Sequence, residues 1–175
     1  MTDTFLTDTS LDLLRGLIGA QLRTFGTDLE IDDRVGAFGA WLDTDRGVVE
    51  LEFVEQVVDL QEGGERVESV LEARAGEADG DAHDLPGTIT GITRIQDRVA
   101  LIDKISGGQQ WEWWRDSGIR VSLDTGGELV LHCPSPVTVE VAMLTGSPVV
   151  LPPPPRDYQE GEKRRYEYGR REVAL

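Results

Sequence analysis

Alternation of apolar and polar residues dominates the chain. Val49, Leu51 and Phe53 alternate with Glu50 and Glu52. Ile119, Val121 and Leu123 alternate with Arg120 and Ser122, and Val137, Val139 and Val141 with Thr138 and Glu140. A period of two sends successive side chains to opposite faces, so each stretch predicts a strand with one buried face. Glycine-containing turns separate these stretches. Asp43-Thr44-Asp45-Arg46-Gly47 precedes Val49, and Asp124-Thr125-Gly126-Gly127 leads into Leu129, Leu131 and Cys133, both in the chemistry that turns prefer. Residues 118–143 therefore predict a three-strand meander. Residues 54–60 and 67–71 flank Gly63-Gly64, which favours a hairpin over two short helices.

A helical period occurs only near the start, where Thr9 or Ser10 can cap a short helix carrying Leu11, Leu13, Leu14, Leu17 and Ile18, limited by Gly16 and Gly19. From Ala20 the pattern turns strand-like, with Leu22 and Phe25 bracketing polar residues. The expected fold is mainly β (α+β): two antiparallel sheet-forming halves, a short N-terminal helix and a charged C-terminal tail. Residues 1–86 form an acidic, β-rich half, 87–150 a β-meander half with a Trp cluster, and 151–175 a Pro-rich linker and charged tail. Residues 75–86 (AGEADGDAHDLP) read as a linker or long loop. Pro152 to Pro155 read as an extended polyproline spacer. The tail, with Tyr158, Tyr166 and Tyr168, reads as an arm that docks on the body or on a neighbour.

The halves echo one another. Leu17-Ile18-Gly19-Ala20-Gln21-Leu22 resembles Leu101-Ile102-Asp103-Lys104-Ile105, and Leu42-Asp43-Thr44 resembles Leu123-Asp124-Thr125. Each latter tripeptide is followed by a glycine and three alternating apolar positions, Val49/Leu51/Phe53 and Leu129/Leu131/Cys133. This order of elements admits an internal duplication, although any β meander repeats its turn chemistry.

Composition narrows the classes. The chain has 175 residues, enough for one good core or two small ones, and 39% hydrophobic content is above the disordered class. One cysteine, Cys133, allows no intrachain disulfide, and with His83 and His132 alone beside it a four-ligand Cys/His zinc site cannot be built. No metal and no cofactor is expected. The first residues carry neither a basic nor an apolar leader segment, and no apolar run approaches the roughly 20 residues that span a bilayer. A cytoplasmic location is expected.

Charge is lopsided. Residues 1–86 hold 21 Asp and Glu against 6 Arg and no Lys; residues 87–175 hold 12 against 11. An acidic region of this kind steers a basic partner and docks it by complementarity, when it is not simply a solvated surface. Asp28, Glu30, Asp32 and Asp33 on a loop, with Glu50 and Glu52 on one strand face, are the partner-binding candidates. Neither nucleic acid nor an anionic membrane is an expected partner, because the only basic stretch, Lys163-Arg164-Arg165 with Arg170-Arg171, is interleaved with glutamates.

Trp111, Trp113 and Trp114 form the second candidate. On a strand Trp111 and Trp113 share a face and Trp114 takes the other. One face can stack on a ligand ring with Arg115 and Glu112 as polar neighbours, or fill the core. Trp111, Trp113 and Arg115 are thus the ligand-binding candidates. Other motifs carry less. Asp43-Thr44-Asp45 and Asp79-Gly80-Asp81 lack the remaining ligands of a calcium loop. His132 and Cys133, adjacent on a strand, point to opposite faces and cannot pair as thiol and base. Cys133 is expected to be buried with Leu129 and Leu131, and His132 to face outward with Val130.

No catalytic signature is present, so no catalytic residue is named and a non-enzymatic role is favoured. The leading expectation is a protein-binding module whose acidic surface docks a basic protein, of an inhibitor or immunity kind. The alternative is a small-ligand-binding protein or enzyme with a Trp- and carboxylate-lined pocket, or a subunit of a larger assembly.

Overall fold

Thr7 opens the only helix of the described residues, α1 (Asp8–Leu17), by accepting the Ser10 backbone N–H at 3.2 Å. The cap falls two or three residues before the expected Thr9 or Ser10, for a physical reason. Ser10 is buried, and its hydroxyl instead donates to Ala73 O and accepts from Ala73 N, both at 3.1 Å. At the other end Arg46 Nη1 donates to Gly16 O and Ile18 O at 2.5 and 3.1 Å, covering carbonyls that a helix end leaves without partners.

The computed structural model describes residues 3–27, 39–59, 65–134 and 142–175. Their strands are β1 (Gln21–Thr27), β2 (Gly39–Thr44), β3 (Gly47–Asp59), β4 (Glu65–Gly76), β5 (Ala82–Asp103), β6 (Gln109–Leu123), β7 (Glu128–His132), β8 (Ala142–Gly146), β9 (Tyr158–Glu160) and β10 (Arg164–Ala174). All join one sheet in the order β4-β3-β2-β1-β5-β6-β7-β8, every pair antiparallel, with β10 along β5 and β9 along β10. The protein is mainly β, as its alternation requires.

One face of this sheet carries the core. Leu22, Leu42, Leu51, Leu71, Ile89, Ile92, Ile119, Val121 and Leu131 close over Leu14 and Leu17 of α1, and Cys133 lies fully buried among them. The expected hairpin is the β3–β4 pair, in register from Val48↔Gly76 to Asp59↔Glu65. Two expectations differ. Residues 75–86 are not a linker: β4 runs to Gly76 and β5 begins at Ala82, leaving only a short exposed connection. Pairing with β3 and β1 overrides a composition poor in β-formers. Val137, Val139 and Val141 lie outside the described residues, and the third strand of that meander is seen at β8.

Strands β1–β3 repeat as β5–β7. The β1–β2 register, Leu22↔Thr44, Thr24↔Asp43 and Phe25↔Leu42, carries an irregularity between Leu22 and Thr24. The β5–β6 register, Ile89↔Leu123, Gly91↔Ser122 and Ile92↔Val121, carries one at the same place. Leu42↔Val49 then matches Val121↔Leu129. The turn aspartates correspond as well. Asp45 accepts the Gln21 N–H at 2.8 Å and donates its own N–H to Gln21 O at 3.0 Å. Asp124 does the same with Thr88, both at 2.9 Å. Gln21 and Thr88 are themselves a registered pair where β1 meets β5, so the two units are related by a local two-fold at that pair. Gly39 and Gly118 occupy the same point in each unit, and a Cβ on either would press on the carbonyl oxygen of Leu51 or Leu131, at 3.1 and 2.1 Å. Of the two sequence echoes, Leu42-Asp43-Thr44 with Leu123-Asp124-Thr125 falls beside the repeated turns but two residues out of register, because Leu42 matches Val121 and Asp45, not Asp43, matches Asp124. The other does not mark the repeat: Leu17 ends α1 whereas Leu101 lies near the end of β5, and the residue matching Leu22 is Ile89.

The tail lies on the body. β10 pairs with β5 from Arg164↔Asp103 to Ala174↔Thr93. Arg171 Nε donates to Gln96 Oε1 at 2.6 Å, and its guanidinium stacks over Trp114 at 4.1 Å. Gln96 donates to Asp116, whose other oxygen accepts the Leu6 N–H, so both chain ends meet in one network.

Candidate functional site

The second half of β5 is flanked by β6 on one edge and β10 on the other, which builds three rungs of side chains. Asp97 stands between Arg115 and Arg170, Val99 between Trp113 and Tyr168, and Leu101 between Trp111 and Tyr166. The pleat places these rungs on the face turned away from α1. A cavity of about 340 Å³ opens over them, with Trp113, Tyr166 and Tyr168 as aromatic walls, Pro134 and Pro155 as flat apolar ones, and Asp97 and Arg115 at the charged end. Its size is within the range of small-molecule pockets, roughly 300–1,000 Å³.

The charged end is specific. Burial alone would raise the Asp97 carboxyl, but hydrogen bonds from His132 and Arg170 outweigh it and hold its pKa at about 2. The contacts are Arg170 Nε to Asp97 Oδ1 at 2.6 Å and His132 Nε2 to Asp97 Oδ2 at 3.0 Å. Arg115 is treated differently. It is 2% exposed and its Nη2 donates to Cys133 O at 2.5 Å, but Nη1 has no partner among the described residues. Trp113, also 2% exposed, has an Nε1–H without a partner among them.

The structure brings Trp113 and Arg115 together at the cavity. Trp111 is one rung away, its ring edge-on to Tyr166 with centroids 6.1 Å apart. Trp114 takes the other face, under Arg171, with Glu112 accepting its Nε1–H at 2.7 Å. His132 does not face outward as expected: it is 2% exposed, because β10 brings Arg170 within 3.2 Å of its ring on that face.

Of the acidic candidates, Asp28, Glu30, Asp32 and Asp33 lie outside the described residues. Glu50 and Glu52 share a face of β3, as their spacing requires, and both hold Arg74 of β4, at 2.7 and 3.1 Å. Hydrogen bonds from Arg74 and the Glu77 N–H lower the Glu50 pKa.

Tyr166, Tyr168, Asp97, Pro134 and Pro155 were not legible as site residues. Tyr166 and Tyr168 did carry a signal, a Tyr-x-Tyr spacing that puts two rings on one strand face. Nothing local says that this strand lies against β5.

Comparisons with protein-family models, with curated proteins and with solved structures returned no match. Among the described residues no helix is long and apolar enough to cross a membrane, and no three metal-ligating side chains are grouped.

Proposed function

We propose that this protein binds a small molecule in the cavity between β5, β6 and β10 and is not itself a catalyst. One observation carries the reading: two strands distant in sequence each deliver aromatic side chains to one concave site that also holds an incompletely satisfied buried guanidinium. Apolar walls with a few placed polar groups are the usual make-up of a ligand pocket.

The test is a thermal-shift screen of small aromatic compounds against the wild type and Val99→Phe, which fills the space between Trp113 and Tyr168. A ligand at about 100 times its Kd adds roughly 2.7 kcal/mol of stability, which is several degrees of Tm for a chain of this size. Hits that stabilise the wild type and leave Val99→Phe unmoved support the reading. Hits indifferent to the substitution, or no hits, overturn it.

Docking of a basic protein on the acidic half is the second reading, favoured by 21 acidic against 6 basic residues in positions 1–86. Arg74 already offsets part of the charge of Glu50 and Glu52, so this reading rests on the remaining acidic residues. Capture of a basic protein from lysate that is held at low salt and lost at moderate salt supports it. Capture that is unaffected by salt counts against it.

A further inference from the structure

Among the described residues the deeply buried arginines fall into two kinds. Arg94, Arg120 and Arg170 have side chains 18%, 13% and 11% exposed, and each holds a carboxylate: Asp116 at 3.4 Å, Glu128 at 2.7 Å and Asp97 at 2.6 Å. Arg115 is buried further, at 2% exposed, and among the described residues it holds no carboxylate. The only hydrogen bond its guanidinium makes there runs to a backbone carbonyl. A guanidinium taken out of water without a counter-charge is unfavourable, and an anion in the adjoining cavity relieves it. Trp113 Nε1–H is a second buried donor with no acceptor in the same wall.

The remaining charges around the cavity limit what that anion can be. Arg170 is engaged by Asp97 and by Pro152 O, and Arg98 by Glu112 and Gln109. That leaves one uncompensated positive charge, with the Asp97 carboxylate lining the same space. A phosphate dianion would meet too few donors and the repulsion of Asp97. A carboxylate brings one charge and a planar pair of oxygens that suits the guanidinium fork. The walls select the rest of the molecule, because Trp113, Tyr166 and Tyr168 offer ring faces and edges to a flat aromatic body.

Building on the ligand-binding reading above, we propose that the ligand is an aromatic monocarboxylate, with its carboxylate at Arg115 and Trp113 Nε1 and its ring between Trp113 and the two tyrosines. The test is isothermal titration of the full chain with 2-naphthoate, with its neutral amide, and with 2-naphthylmethylammonium. The acid binds at least about tenfold more tightly than the amide, the discrimination expected of a hydrogen bond to a charged group. The ammonium compound does not bind. In Arg115→Gln the preference for acid over amide falls to within about threefold. Should that variant fail to fold, the wild-type ranking decides alone. Equal binding of acid and amide, or tighter binding of the ammonium compound, overturns the anion assignment but leaves the pocket reading standing. No binding of any of the three overturns it too, and the thermal-shift screen with Val99→Phe then shows whether the pocket reading falls with it.

Discussion

Asp97 joins two strands at the candidate site, because its carboxylate on β5 is ion-paired to Arg170 of β10 at 2.6 Å, a closer pair than Arg98 with Glu167 at 3.9 Å. Its pKa of about 2 in the folded protein lies below the ordinary aspartate value of 3.8. A carboxyl depressed on folding stabilises the fold while it is ionised in both states. That contribution is complete above about pH 4 and is lost as pH falls towards 2. A shift of this size corresponds to about 2 kcal/mol. Asp97→Asn should therefore be less stable than the wild type by about that amount at pH 6, with the two unfolding curves converging between pH 4 and pH 2. Denaturant titrations across that range check it, and a gap that persists at pH 2 would assign the loss to packing instead. Ser10 gives a second prediction at this scale. Its hydroxyl serves both backbone groups of Ala73 on the open edge of β4, so Ser10→Ala leaves two buried groups unpaired and should cost about 1–3 kcal/mol of stability. A loss below half a kcal/mol would mean that water replaces the hydroxyl.

At the scale of elements, what was legible followed from the period of each segment. The alternation at Val49–Phe53 and Ile119–Leu123 identified strands and their buried faces, and the Gly63-Gly64 pair identified a hairpin, because these depend on neighbours in sequence. What was not legible depends on pairing at a distance. Residues 82–86 are strand because β1 lies beside them. His132 is covered because β10 brings Arg170 over a face that its own strand leaves open. The candidate site divides in the same way: Trp113 and Arg115 share a face by local spacing, whereas Tyr166, Tyr168 and Asp97 join them through the β5–β10 register. The two matched glycines test the element geometry. A Cβ at Gly118 would lie 2.1 Å from Leu131 O, where only backbone can give way, whereas at Gly39 the matching distance is 3.1 Å. Gly118→Ala should destabilise by about 1–3 kcal/mol through overpacking and Gly39→Ala by distinctly less. Thermal denaturation of the pair checks the order, and equal losses would count against the register at Gly118.

For the whole molecule, the repeat has a consequence for how the two halves are held. Each repeats the other in register and turn contacts, yet neither closes a core alone: Leu51 and Leu71 from the first half share one cluster with Ile119 and Leu131 from the second. They also meet along the β1–β5 ladder, where Asp45 and Asp124 bond to the central pair Gln21 and Thr88 from either side. Only the exposed stretch 77–81 joins them covalently at that point. A cut there removes one covalent connection and leaves both the ladder and the shared core in place. A protease site inserted between Ala78 and Asp79 should therefore cleave readily, with the two pieces remaining associated through gel filtration and separating only in denaturant. Their joint stability should become dependent on protein concentration, as it must once folding is bimolecular. Fragments that separate in native buffer would show that the core shared across β1 and β5 is too small to hold the halves without the chain between them.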